Sequence, residues 1–549
     1  MKKLLTISIL LLCTIGFVQA QTTMTIYATS GNLNEIIAAD TLANGTQAHD
    51  VYELVSLDTT YKYTDAIITS GNMKIVGVVD PSTGRPPCVQ PAVLQDFSIP
   101  PTFLTINGAG AVVTVENLYL LAYATNNSVN GGGVAINVTA DEVRLIVNNS
   151  VFDGWQTFGI GYNGNWDDFY LNNNVFRNFV HPNQHYIGEV IRNTWPGEAY
   201  TDTLSMVGNT MLCVNGYAAC PVTKYYETYF EFNENKVFYT FKNPFFIFNL
   251  TNGKINDNTF YGLYAGGVDT LENPWWDNLW EPDTTYGIIA LQPLNEANAK
   301  AFTPDDSSAA DFLAIAESKR MVEVMNNTYF WPQGLTDFWA EWNGSQPNTV
   351  RLPSFMNERT VAMFGDDTAW PGLVESNNTM TDPGYMATID SDVLDGGNPD
   401  FGDVGLKEYF KQIRTGTASV DYWGYAYTEV GEAEDWVPTW PLPEMSFIPT
   451  GVEEVETTTV PTEFKLGHAY PNPFNPETSI EYTLSTAGRT NLKVYNVLGQ
   501  EIMTVLKNQM QQAGTYKARI DMTGHTSGVY FVVLEQMGSR SVQKIMMMK

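Results

Sequence analysis

Asn172-Asn173-Asn174-Val175-Phe176-Arg177-Asn178-Phe179 decides the fold, because the phrase returns as Asn148-Asn149-Ser150-Val151-Phe152-Asp153-Gly154-Trp155 and as Asn256-Asp257-Asn258-Thr259-Phe260-Tyr261-Gly262-Leu263. Working outward, an asparagine followed by two strand-forming residues recurs at Asn117, Asn149, Asn174, Asn209, Asn235, Asn258, Asn327 and Asn378, at gaps of 32, 25, 35, 26, 23, 69 and 51 residues. The short gaps set a period, and the long ones approach two or three such units. Three residues before these anchors stand Ile146, Leu171, Met206, Phe232, Ile255 and Val324. Five before stand Phe169, Leu204, Phe230 and Val322, while the position between is mixed and mainly polar. That is the alternation of a half-buried strand. A short strand, an Asn-bearing turn and a second short strand, repeated each coil, predict a right-handed parallel β-helix with coils about 4.8 Å apart. Asn suits the turn because it tolerates left-handed backbone angles. Its amide both donates and accepts, so one Asn per coil is expected to bend the chain and bond to the coils above and below.

These phrases resemble the right-handed parallel β-helix proteins of the pectate lyase-like superfamily, over roughly residues 22–445. The resemblance implies the all-β fold. It also implies, for members that are polysaccharide lyases or glycoside hydrolases, acid/base groups and cations on outward strand positions and adjoining loops. On that basis His185 and Arg192, clustered with His181 and Glu189, are the catalytic candidates, and Asp167 with Asp168 the calcium candidates. The galacturonase segments Asn-Thr-Asp, Gly-Asp-Asp, Gly-His-Gly and Arg-Ile-Lys are each read as absent, Trp166-Asp167-Asp168 being only a fragment of one. The pectate lyase Arg-x-Pro-x-x-Arg is missing. The resemblance therefore carries a fold and no active site. The leading expectation is a glycan-binding or envelope-associated protein, with a polysaccharide lyase or glycoside hydrolase as the alternative. Trp275, Trp276 and Trp280, together with Trp339 and Trp342, are the candidate sugar-stacking platforms. Lys254, one coil beyond Glu231, is read as half of a cross-coil ion pair.

The two ends predict where the protein goes. Lys2 and Lys3 precede an apolar run, Leu4 to Val18, and a polar segment begins at Gln21, so residues 1–20 read as a cleaved secretory signal with no transmembrane segment after its removal. At the other end stand HAYPNPFNPETSIEYTL (468–484), VYNVLGQEI (494–502), SGVYFVVLEQ (527–536) and KIMMMK (544–549). These resemble the C-terminal sorting domain carried by cargo of the type IX secretion machinery. The match rests on Pro471, Asn472, Pro473, Gly499, Gly528, Tyr530, Lys544 and Lys549, and implies a small immunoglobulin-like β-sandwich over residues 462–549 and a secreted or cell-surface product. The acidic, Thr-rich stretch 446–461 before it is expected to be a linker, and 264–320 an insertion between coils, helical from Asp305 to Arg320. Coils are expected to end near Trp440.

Charge divides the chain at the same place. Residues 462–549 hold nine Lys or Arg against six Asp or Glu, whereas residues 21–461 hold 18 against 54, a balance of −36. Such a body repels nucleic acid, and polyanionic glycans too unless calcium intervenes. Once residues 1–20 are removed, only Cys88, Cys213 and Cys220 remain, so no disulfide framework holds the fold. Cys213 and Cys220 bracket a turn-rich loop that an oxidising compartment allows to close.

Overall fold

The computed structural model describes residues 22–265, 268–269 and 287–383 with short breaks, parts of 392–455, and 463–548 with short breaks. The first and largest part is a parallel β-helix of three sheets. The first sheet stacks eleven strands, from Thr23–Ile26 to Leu373–Ser376, and the second stacks ten, from Tyr61–Tyr63 to Thr379–Met380. The third has five: Ile67–Thr69, Thr102–Ile106, Val134–Val138, Phe158–Tyr162 and Glu189–Asn193. Inward positions repeat in register, so Val115, Val147, Leu171, Met206, Phe232, Ile255 and Val324 form one fully buried column. Leu120, Phe152, Phe176, Met211, Val237 and Phe260 form another, with the Phe152 and Phe176 rings stacked at 4.9 Å. A single chain cannot bury such residues in one coil; stacking makes the core continuous.

The asparagine column is present, but two adjacent positions share the work expected of one. The left-handed residue is Asn117, Asn149, Asn173, Gly208, Glu234, Asp257, Asn326 or Asn377, with φ between 50° and 68°. The ladder residue is the next one: Ser150, Asn174, Asn209, Asn235, Asn258, Asn327 and Asn378. Each ladder Asn accepts on Oδ1 the backbone N–H of the ladder residue one coil earlier, from Ser150 onward at 2.8–3.1 Å. Its own Nδ2 donates to a carbonyl of the coil below, for instance Asn209 to Leu171 O at 2.8 Å. The anchors read at Asn117 and Asn149 are thus one residue early. Asn fits both slots, and only pairing across coils tells them apart. Bending needs a residue that tolerates positive φ, whereas bridging needs a buried amide with donor and acceptor.

The insertion between coils is partly helical, with helices Glu296–Phe302 and Phe312–Lys319, the second starting later than its sequence predicts. Arg320 pins it to the coil stack: the fully buried guanidinium donates to Leu250 O, Gln292 O and Glu317 Oε2. The last coil strands described end at Met380, well short of the expected Trp440, and the helix Leu406–Thr415 follows.

The C-terminal part is two four-stranded antiparallel sheets sharing one core, in which Ile480, Tyr482 and Ala518 meet Leu492, Val494, Val532, Leu534 and Ile545. Val452–Val455, inside the stretch expected to be linker, pairs with Gly514–Asp521 as an edge strand of the first of these sheets. Its Val-Glu-Glu-Val lacks the period-two alternation of a half-buried strand, so nothing marks it in a stretch dominated by Glu and Thr.

Candidate functional site

Glu189 opens the edge strand of the third sheet, in the column of Thr102, Val134 and Phe158. Ile191, two residues on, continues the core column of Leu104, Ile136 and Ile160. Beyond this strand the third sheet stops, and the next coil closes the edge by backbone bonds from Val190 N to Tyr217 O and from Gly216 N to Gly188 O, at 3.0 and 2.9 Å. Gly216 is required there, since a Cβ would lie 2.3 Å from Cγ of Glu189. The Glu189 carboxylate is fully buried: Oε1 accepts from Arg192 Nη1 at 2.9 Å, and Oε2 has no hydrogen-bond partner among the described residues. Burial raises its pKa, opposed by the charges of Arg192 and Lys242. Arg192 also lies over the Phe158 ring at 5.7 Å, and Lys242 over the Tyr217 ring at 5.2 Å.

His181 stands on the same side, where its carbonyl accepts from Asn215 Nδ2 and from the Tyr409 hydroxyl at 3.4 and 3.2 Å, and Asn215 Nδ2 also donates to that hydroxyl. Burial lowers the His181 pKa and raises that of Tyr409. The structure pairs Glu189 with Arg192, ties the His181 carbonyl to Asn215 and Tyr409, and leaves His185 outside the described residues. Lys242, Asn215 and Tyr409 were missed. They reach the site from other coils and from a helix over 200 residues away, and no local spacing marks them. A buried carboxyl whose pKa is raised by burial, beside two cations, can donate a proton or orient a hydroxyl-bearing ligand.

Asp167 and Asp168 do not act as a pair. Successive strand residues face opposite ways. Asp167 is buried and accepts Val143 N–H at 2.8 Å, while Asp168 pairs with Arg144 at 2.7 Å. Among the described residues no group of three His, Cys, Asp or Glu is placed to hold a metal. Burial, with Asp141, Asp168 and Asp202 nearby, raises Asp167 to about 7.

Other sequence candidates resolve as structure. Trp339 and Trp342 are buried, the first donating toward Ala265 O and the second packed on Phe410 at 5.0 Å, so neither is a sugar platform. Trp275, Trp276 and Trp280 lie outside the described residues. Lys254 is an outward cross-coil partner as expected, but of Glu323 at 3.3 Å; Glu231 instead accepts from Ser205 and Asn233. A Gly-Asp-Asp does stand at 365–367. Gly365 ends the helix Glu358–Phe364, and Asp366 accepts the Thr368 and Ala369 N–H groups, which makes a turn of it. Cys213 is buried in the helix core, and Cys220 lies outside the described residues. Asp153, Arg177 and Tyr119 form a closed buried network with no open face.

In the C-terminal sandwich the sorting motifs converge. Asn472 Nδ2 donates to Lys544 O at 3.2 Å and its Oδ1 accepts Met546 N–H at 2.8 Å. Phe474 then bonds through its backbone to Met546 and Met548. Gly499 adopts φ 77°, Gly528 begins the strand Gly528–Gln536, and the Tyr530 hydroxyl donates to Thr526 O at 2.6 Å. Pro471 and Pro473 flank the Asn472 clamp; Lys549 lies outside the described residues.

Residues 468–548 match the family described as the secretion system C-terminal sorting domain. The tail is a type IX sorting domain, and the protein is secreted or carried on the cell surface. Among the described residues no helix is long and apolar enough to cross a membrane. Among solved structures, the X-ray structure of the endo-beta-1,4-mannanase from Thermotoga petrophila is similar at 11% sequence identity, over 54% of this chain and 47% of that one. The chain thus spans less than half of that protein, and with a TM-score of 0.11 the likeness bears on neither fold nor activity.

Proposed function

We propose that this secreted protein binds an extracellular polysaccharide along the outer face of the first sheet. One observation carries the reading. Parallel sheets are ordinarily covered on both faces, yet here the central outward column of Lys74, Thr114, Ile146, Tyr170, Ser205, Glu231, Lys254 and Glu323 is half buried at every coil except that of Ser205, which is buried. A face repeating every coil suits a polymer that repeats at a similar rise. Retention of the mature chain in gels containing neutral and acidic polysaccharides, with calcium and with chelator, tests it; migration unaffected by every polysaccharide sinks the reading. Changing Trp275 and Trp276 to Ala in the same gels tests their stacking role.

A second reading, a lyase or hydrolase, is favoured by Glu189, whose buried carboxyl leaves Oε2 without a partner among the described residues. Appearance of unsaturated uronate or of new reducing ends, abolished in Glu189→Gln, is its signature, and neither product from any substrate removes it.

A further inference from the structure

One coil of the first sheet turns only short side chains outward. The outward residues of Thr201–Val207 are Thr203, Ser205 and Val207, while the strand before it presents Asp168, Tyr170 and Asn172, and the strand after it Tyr229, Glu231 and Asn233. Ser205 is buried although it faces away from the core, and its hydroxyl donates to Glu231 Oε2 at 2.7 Å. Side chains stand roughly perpendicular to a sheet. With strands about 4.8 Å apart and residues about 3.3 Å apart, Tyr170 and Tyr229 rise about 10 Å from each other across this strand and about 7 Å along it. The short residues thus floor a groove one strand wide, with an aromatic wall on each side.

An aromatic ring on a sheet face ordinarily packs against its cross-strand neighbours. On the groove side those neighbours are Ser205 for Tyr170 and Thr203 for Tyr229, too short to cover a ring. Both tyrosines are half-buried, and among the described residues neither ring stacks on another and neither hydroxyl makes a hydrogen bond. No other outward position of the described strands of this sheet carries an aromatic side chain. The charges around the groove are already paired: Asp168 with Arg144 at 2.7 Å, Lys254 with Glu323 at 3.3 Å, and Glu231 with the Ser205 hydroxyl and the Asn233 amide. Burial, with Glu231 nearby, raises the Tyr229 pKa, so its hydroxyl stays a donor. Among the described residues no unpaired cation stands at the groove to meet a uronate carboxylate. Ring faces and hydroxyls meet the C–H faces and hydroxyls of an uncharged sugar.

We infer that this groove holds a neutral polysaccharide edge-on, with adjacent sugar rings against Tyr229 and Tyr170 and the Thr203 hydroxyl beneath them. This rests on the polysaccharide-binding reading and narrows it to one coil of the face and to uncharged chains. Affinity electrophoresis of the full mature chain, with hydroxyethyl cellulose and polygalacturonate as probes, tests it in Tyr170→Ser, Tyr229→Ser, the two Tyr→Phe variants and Thr203→Lys. The serine variants remove a wall, the phenylalanine variants keep it, and Thr203→Lys fills the floor from a half-buried outward position while leaving both walls in place. The expected result is retardation by the neutral polymer, weakened roughly tenfold in each serine variant and in Thr203→Lys, and largely kept in the phenylalanine variants. Unfolding midpoints near the parent's show the coil intact, and Thr203→Lys decides the matter if a serine variant fails to fold. Undiminished neutral binding in the folded wall and floor variants, or binding to polygalacturonate alone, overturns this inference and leaves the broader reading standing. No retardation by either polymer overturns the inference, and the wider gel panel then decides the broader reading.

Discussion

Arg177 Nε lies 2.7 Å from Asp153 Oδ2, one coil and 24 residues earlier, and neither side chain reaches solvent. Tyr119, another coil back, donates its hydroxyl to the same carboxylate oxygen and receives Arg177 Nη2 at 2.7 Å, while Asn178 donates to Oδ1. Three coils of the second sheet are tied by one charge pair.

Removing one partner strands the other's charge. Arg177→Met is expected to lower stability by about 3–5 kcal/mol, whereas Asp153→Leu with Arg177→Met recovers most of that loss. Denaturant midpoints of the two variants and the parent check it. A double variant no better than the single would show that hydrogen bonding, and not the stranded charge, dominates.

The ladder predicts a second cost. Asn209→Ala leaves Asn174 N–H and Leu171 O without partners at a buried step. The loss should be roughly 2–4 kcal/mol, while Asn173→Gly, at the left-handed position beside the ladder, should be nearly neutral or stabilising. Amide hydrogen exchange at Asn174 reads the first effect locally. Unchanged protection there would mean the ladder contributes little.

Asp167 makes the body sensitive to pH. Its folded pKa of about 7 stands above the ordinary 3.8, so the folded chain holds the proton more tightly than the unfolded one. Its contribution is complete below the unfolded value and is lost as pH rises toward and through the folded value, at about 1.4 kcal/mol for each pH unit between the two. Asp167→Asn keeps an acceptor for Val143 N–H and removes the charge. It should raise the unfolding midpoint at pH 8 and change it little at pH 4, and equal effects at both would refute the assignment.

Export is expected to depend on the clamp between Asn472 and the last strand of the sandwich. Deleting residues 529–549 is expected to leave the protein in the periplasm of its native host, and Asn472→Ala to reduce surface delivery in part. Fractionation with an antibody to the β-helix reads both, and normal delivery of the truncated chain would count against the assignment of the signal.

Fold was far more legible in the sequence than site. The coils announced themselves because every one needs the same turn and the same inward residues. Even the misplacement at Asn117 and Asn149 came from that regularity, since Asn148-Asn149 and Asn172-Asn173-Asn174 offer amides at neighbouring phases. Pairings across an insertion were not legible: Lys254 meets Glu323, 69 positions on, because the chain between them leaves the stack and returns to it. Glu189 and Arg192 share one strand and were found together, whereas Tyr409 arrives from a helix whose docking no spacing encodes.

Order of synthesis gives the Asn472 clamp a meaning of its own. The strand Ser539–Met547 lies at the edge of its sheet, and Asn472 and Phe474, some seventy residues earlier, are satisfied only by its backbone. A chain cut short anywhere between the coils and residue 539 would therefore keep its stacked coils but leave Asn472 and Phe474 facing an open sheet edge, so the N-terminal motif of the sandwich is finished only by its last strand.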